Sequence, residues 1–329
     1  MNFHIEFSPK KMQPTIRHSD RLLLIGSCFT EQIGNKLLDH KINVLQNPNG
    51  ILFNPVSIAN AVTSYADKKL YSADDLFFHN ELWNSWQHHS RFSGIDQETV
   101  LQQINASQQQ ATHCLTNSDW LLVTLGSAFV YENEAATSDF FHSSVVANCH
   151  KIPTDNFTRR LLSFSEVEDA LHTTLTKALT ANPAIKIIFT ISPVRHLREG
   201  FIENNRSKAT LIQAVHNIVN HTTVHYFPAY ELVIDDLRDY RFYAEDMVHP
   251  NYSATNYVWE KFVSSCIDES AHDVMKEIAA IKLAVDHKPF NPLSEQHKKF
   301  KTSFLQKIRA LQNNHAYLNF EREIEFLRQ

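Results

Sequence analysis

The chain has 329 residues, 43% of them hydrophobic and 20% charged, with a formal net charge of −5 at pH 7. That length suits one large α/β domain with an appendage, and the apolar fraction is enough for a sizeable core. The mild acidity argues against a nucleic-acid platform, which needs a basic face for the phosphate backbone. A membrane span is not expected either, because no apolar run approaches the ~18 residues it requires.

In chain order, Leu22–Ile25 is an unbroken apolar run, as expected of a strand buried on both faces. The tetrad Ile25-Gly26-Ser27-Cys28 mimics a lipoprotein cleavage box, but its apolar run starts only at Leu22, far short of the ~7–15 residues of a signal peptide. A helix is predicted over 30–40, with Ile33, Leu37 and Leu38 on one face, then a strand at 42–45 and a helix at 56–66. A helix at 96–115 leads into a strand at 120–125 (WLLVTL), and a helix at 165–181 into a strand at 185–191. A helix at 206–220, a strand at 223–227 and a helix at 253–269 complete the pattern. Strands alternating with helices predict a parallel sheet with crossover helices. Beyond about 271 only helical periodicity remains, in 272–285 and 298–328, around a Pro-containing break. We therefore expect an α/β domain over 1–270 and a helical extension over 271–329. The basic stretch around Lys298, Lys299 and Lys301 reads as the solvated face of a helix.

Cysteines 28, 114, 149 and 266 form no CxxC pair and no disulfide framework, so a reducing, cytoplasmic setting is expected. Glycine is scarce: Gly26, Gly34, Gly50, Gly94, Gly126 and Gly200, where an average chain would hold roughly 23. Gly26 and Gly126 each end a predicted strand at its carboxyl edge, where open parallel sheets bind ligands. Gly50, in the turn-rich Asn47-Pro48-Asn49-Gly50, can fold over the same edge.

Ser27 follows Gly26 on the turn into the first helix. A serine there is either a nucleophile beside orphan helix N–H donors or a helix cap, and position alone leaves both readings open. Its partners come from Asp246-Met247-Val248-His249-Pro250. An Asp three residues before a His lets the carboxylate orient the imidazole that takes the nucleophile's proton.

Gly26-Ser27-Cys28-Phe29-Thr30 resembles the signature of the GSCFA family, here with Thr in place of the final Ala. Thr124-Leu125-Gly126, Asn148-Cys149-His150-Lys151, Ser192-Pro193-Val194, Ser207-Lys208-Ala209-Thr210-Leu211 and Tyr226-Phe227-Pro228-Ala229-Tyr230-Glu231 add to the resemblance, which spans roughly residues 20–265. That family is similar to the SGNH/GDSL hydrolases. The resemblance implies a three-layer α/β/α sandwich with a central parallel sheet, of flavodoxin-like type, and Ser27, His249 and Asp246 as nucleophile, base and orienting partner. It also makes Gly50 and the Ser27 N–H candidate oxyanion donors. One departure stands out: the Asn that completes the oxyanion hole in the wider superfamily is Ala128 here, and Asn49 and Asn148 are the candidate substitutes.

Of the 19 histidines, His88, His89, His142, His150 and His196 sit in motif-like segments, yet no HExxH or close Cys/His set suggests a metal. His89 and His150 are read as pocket-lining or loop-fixing groups. Cys28 is the rival nucleophile, otherwise expected to turn toward the core. Arg195, Arg198 and Lys208 are expected to be solvated. The sequence thus points to an esterase or acyl-transfer enzyme without metal or cofactor, acting on a small-molecule or carbohydrate ester through an acyl-serine. The alternatives are a weakly catalytic binding protein on the same fold and a metal-dependent hydrolase.

Overall fold

The computed structural model describes residues 5–136 and 144–328; His142 lies outside them. Its frame is a five-stranded parallel sheet. The elements run β1 (Arg21–Gly26), α1 (Cys28–Asp39), β2 (Asn43–Gln46), α2 (Pro55–Ala66), β3 (Phe77–His79), β4 (Leu82–Asn84), α3 (Gln97–Asn117), β5 (Trp120–Leu125) and β6 (Phe129–Glu132). They continue with β7 (Thr158–Leu161), α4 (Phe164–Ala181), β8 (Lys186–Ile191), α5 (Phe201–Ile218), β9 (Val224–Phe227), α6 (Ala229–Glu231), α7 (Tyr252–Cys266), α8 (Glu269–Asp286), α9 (Glu295–Asn314) and α10 (Glu321–Arg328).

The strand order is β2-β1-β5-β8-β9, every pair parallel. The chain therefore leaves β1 toward one side for β2 and returns on the other for β5. This reversal makes the carboxyl ends of β1 and β5 the switch point, where open sheets form their ligand crevice. The alternation of each strand sorts its side chains onto two covered faces. Leu23, Ile25, Val123 and Phe189 meet residues such as Val62, Leu115, Leu171 and Leu211 from α2–α5. Leu22, Leu24, Leu122 and Ile188 meet Ile33 and Leu37 of α1, Phe262 of α7 and Met275 of α8. Helices on both faces explain why the strands read as continuous apolar runs. Full burial of each such side chain contributes about 1.5–3 kcal/mol over leaving it exposed.

The last three helices share an apolar cluster of their own, with Ile278, Ile281, Ile308, Leu311 and Phe320 buried. They are tied to the α/β body through Lys41–Glu323 at 2.8 Å, the Lys282–Asp39 ion pair, and the Tyr317 hydroxyl against His18 Nδ1 at 3.1 Å. Lys298 and Lys299 are exposed on α9, as their charge pattern suggested.

The strands and helices of the frame fall within a few residues of their sequence positions. Two features differ. The antiparallel hairpins β3–β4 and β6–β7 are absent from the sequence expectation, because strands of three or four residues are too short to show a period. Helix α5 starts at Phe201 rather than 206, entered through Gly200 at φ +91°.

Gly26 is fixed by two constraints at once. Its φ is +149°, and a Cβ there would stand 2.2 Å from the Thr124 carbonyl oxygen and 2.8 Å from Thr30 Oγ1. Backbone cannot yield as a flexible side chain can. Gly26→Ala is expected to destabilise the fold by roughly 3 kcal/mol or more, adding backbone strain to overpacking. Urea unfolding monitored by tryptophan fluorescence measures it; a change under about 0.5 kcal/mol would contradict the close approach.

Candidate active site

Asp246 and His249 form the best-defined pair among the candidate residues. Met247 takes φ +57°, and the Ala244 N–H reaches back to the His249 carbonyl at 2.7 Å, closing the loop on itself. Asp246 Oδ1 accepts the backbone N–H groups of Val248 and His249 at 2.9 and 3.0 Å, while Oδ2 lies 2.7 Å from His249 Nδ1. The N–H groups of His249 and Val248, then the imidazole, pull the Asp246 carboxyl down to about 2. An ionised carboxylate only accepts, so Nδ1 carries the proton and Nε2 is left as the basic nitrogen. Asn251 then caps α7 by accepting the Ala254 N–H at 3.1 Å. The loop is anchored to the carboxyl edge of β8: the Arg195 N–H donates to Val248 O at 3.2 Å, and its guanidinium lies 4.3 Å from the Tyr243 ring centre. Arg195 is thus a structural clamp rather than a solvated cation.

At the β1–α1 turn, Ser27 is 0% exposed. Its N–H donates to Thr124 O at 3.2 Å, and its Oγ caps α1 by accepting the Phe29 N–H at 3.3 Å. The cap reading of Ser27 therefore holds in this arrangement, and its N–H is not free to receive an oxyanion. Among the described residues no hydrogen bond joins Ser27 to His249. Cys28, by contrast, is only partly buried; Cys266 is the cysteine packed in the core.

The other expected donors are committed as well. The Gly50 N–H donates to Asn47 O at 2.7 Å. Gly50 takes φ +78°, and a Cβ on it would stand 2.3 Å from His89 Cβ, so it is a glycine because His89 packs on it. The Asn49 amide donates to Gln87 O at 3.0 Å and its oxygen accepts from the Tyr65 hydroxyl. His89 donates its N–H to Asn49 O at 2.8 Å, and its Nδ1 accepts the Arg91 N–H at 3.2 Å. Gly50, Asn49 and His89 thus act together to hold the segment after β2.

Asn148 and His150 line a different place, a cleft of about 360 Å³ bordered also by Phe53, Ser127, Cys149 and His196. Asn148 Oδ1 accepts the His150 N–H at 2.8 Å. His150 is 7% exposed, with Nε2 2.9 Å from Ser85 O, and burial lowers it to about 4, so it fixes its loop as a neutral ring. Gly126 forms part of the same corner: its N–H donates to Phe53 O at 2.8 Å, and a Cβ would stand 3.1 Å from His196 Nε2. His196 is pushed down to about 3, first by burial and then by the charges of Lys208 and His249, so these three groups are electrostatic neighbours.

Lys208 overturns its expected solvation. It is 1% exposed, and its ammonium donates to Gly126 O at 2.6 Å and Ser192 O at 2.7 Å, tying the ends of β5 and β8. Ser207 beside it accepts the Ala128 N–H at 2.7 Å. Where the superfamily pattern has an oxyanion Asn, the loop is therefore held from α5. Lysine seven residues into a helix gives no sequence sign of such burial; only its place facing a strand end does. Among the described residues no group of three or more His, Cys, Asp or Glu side chains is arranged to hold a metal ion, and no helix is long and apolar enough to cross a membrane.

Three wholly or largely buried rings give a pH prediction. Burial holds His88 and His196 near about 3 and His150 near about 4. Histidine in the unfolded chain titrates near ~6.5. Between these values the unfolded chain binds more protons, so stability is full above pH ~6.5 and falls as pH drops toward about 4. Urea midpoints at pH 7, 6 and 5 should decline steadily, and His88→Gln should flatten that decline. An unaltered pH slope in the variant would show that His88 contributes nothing to it.

The GSCFA family model matches residues 21–262, and that of the GSCFA domain protein, C-terminal domain, matches 278–329. No curated protein matches the sequence. Among solved structures, the chain is similar at 9% identity and a TM-score of 0.36 to a carbohydrate esterase family 3 protein from Talaromyces cellulolyticus, covering 78% of this chain and 99% of that one. The two family models together account for most of the sequence, and the chain belongs to the GSCFA family.

Proposed function

We propose that the protein is an ester hydrolase or acyl transferase that forms a covalent acyl-enzyme on the β1–α1 turn, with His249 as general base and Asp246 as its orienting partner. The observation that carries this reading is the 2.7 Å Asp246–His249 contact, with Oδ1 of the same carboxylate fixed by two backbone N–H groups. Such an arrangement sets the tautomer, presents Nε2, and stabilises the imidazolium formed when the base takes a proton. The loop carrying it is bonded to the segment that leaves β8, at the carboxyl edge where the β1–α1 turn also lies. Ser27 is the nucleophile that the GSCFA resemblance nominates, within an SGNH-type frame. A short, acetyl-like acyl group on an alcohol such as a carbohydrate's is the substrate class we propose.

A second reading, a binding protein on the same frame, is favoured by one observation: the Ser27 and Gly50 N–H groups are both bonded within the fold. Turnover separates the two. With p-nitrophenyl acetate and an acetylated sugar, the wild-type protein should release acetate, and His249→Ala should lower kcat/KM by about 10²–10⁴-fold, the usual weight of a general base. Equal inertness of wild type and variant across short acyl esters would leave the binding reading standing.

A further inference from the structure

The sheet ends at β9, which pairs with β8 on one side and with no strand on the other among the described residues. Along that open side runs a cavity of about 630 Å³, within the size range of small-molecule sites. It shares no lining residue with the cleft beside His196. Its outer wall is the segment before β1, where Phe7 and Met12 face it. That segment is held in place by the Met12 and Ile16 N–H groups, which donate to Ser265 O and Cys266 O at 2.8 Å each. Side chains alternate along a strand, so β9 reaches the cavity from both of its faces. His225 and Phe227 come from the side of Trp120 and Phe262, and Tyr226 from the side of His216.

Three polar groups in this cavity lack the partners their setting calls for. His225 is 3% exposed, and its Nε2 has no hydrogen bond among the described residues. Burial lowers this histidine, opposed in part by a bond from the ring to the Thr222 backbone, so the ring is neutral and Nε2 holds the lone pair. The backbone of Tyr226 is the second group. Thr223 O accepts from Ile187 of β8, whereas Val224 O is turned to the open side and taken by Asn220 and His221. Tyr226, two residues on, therefore turns its N–H and C=O to the open side, where no backbone partner meets them among the described residues. The third is Glu231. Both of its oxygens accept from the Tyr226 hydroxyl, at 2.9 and 2.8 Å, yet no ion pair meets it among the described residues. Burial raises it, as expected of a carboxylate without a counter-charge.

We propose that this cavity binds a small organic amine, its ammonium paired with Glu231 and its apolar body against Phe7, Met12 and Phe227. Acceptors dominate the unmet groups: the Glu231 carboxylate, His225 Nε2 and Tyr226 O stand against a single N–H. An ammonium brings three donors and the missing positive charge, and aromatic walls favour a cation at their faces. The cations of the rim do not fill that place. Lys11 is given to Glu269 at 2.6 Å, and Lys10, His216 and His221 are exposed, where solvent screens them. The proposal stands apart from the acyl chemistry above and does not rest on it.

Titration calorimetry of the full chain at neutral pH with phenethylamine, 2-phenylethanol and phenylacetate tests this. The three probes carry the same ring and end in a cation, a neutral hydroxyl and an anion. Phenethylamine is expected to bind at least about 10-fold more tightly than 2-phenylethanol, as a charge-assisted contact requires. Glu231→Gln keeps the size of the side chain and an acceptor for Tyr226, and should bring the two probes to within about 2-fold. Equal binding of amine and alcohol by the wild type, tighter binding of phenylacetate, or no binding of any probe at millimolar concentration would overturn the proposal. Glu199→Gln, in the cleft beside His196, is the control and should leave the amine's preference unchanged. A loss there matching that in Glu231→Gln would put the amine in that cleft and overturn the proposal as well. The wild-type comparison needs no variant, so it decides even where Glu231→Gln does not fold, with Glu199→Gln excluding the other cleft.

Discussion

The close approach of β1 to β5 at their carboxyl ends governs what the rest of the edge can do. With the Thr124 carbonyl oxygen only 2.2 Å from where a Gly26 Cβ would sit, the chain must leave β1 with a bare backbone. It also leaves with φ at +149°, which turns the next residue inward. Ser27 then caps α1, its N–H taken by Thr124, and Cys28 follows as the first residue of the helix, partly buried. One steric requirement thereby sets how the turn's two adjacent side chains are buried.

The neighbouring strand ends are held by a different device. Lys208 and Ser207 project from α5 into the sheet edge, the first bonded to the carbonyls of Gly126 and Ser192, the second to the Ala128 N–H. An apolar residue at 208 would leave two buried carbonyls unmet, and each orphaned acceptor costs on the order of 1–3 kcal/mol. The lysine thus meets a structural need, and burial lowers it to about 7, so its charge at the switch point changes with pH near neutrality. Ala128 fits this arrangement: a loop held through its backbone does not need a long polar side chain to order it.

Much of the frame was legible in the sequence because burial on both sheet faces writes unbroken apolar runs, as in Leu22–Ile25 and WLLVTL, and amphipathic helices write a period near 3.6. The Asp246–His249 pair was legible because both groups lie on one turn, where spacing in sequence nearly fixes spacing in space. The hairpins of three and four residues carried no such pattern. Lys208 stayed hidden because its burial depends on strand ends more than fifteen residues away in sequence or further, which no local window contains. The same reason hid the engagement of the Ser27 N–H, whose acceptor Thr124 lies far along the chain, whereas the Gly50 N–H is taken within its own turn by Asn47.

The dyad itself stands in a contrasting environment. The Asp246 and His249 side chains are 50% and 49% exposed, so their mutual attraction is screened by solvent and contributes little to stability. Its value lies in orientation, which comes from backbone N–H groups and the Met247 turn rather than from burial. The β1–α1 turn and Lys208 lie in the dry interior, where the same charges act more strongly. In the proposed reaction a proton would pass from the buried turn to the exposed imidazole of His249. Such a step gains most when a substrate covers the dyad and excludes water, because each fixed hydrogen bond then acts at lower dielectric without further reorganisation. The solvent exposure of His249 and the burial of Ser27 are thus two halves of the proposed arrangement that a bound ester would bring to a common environment.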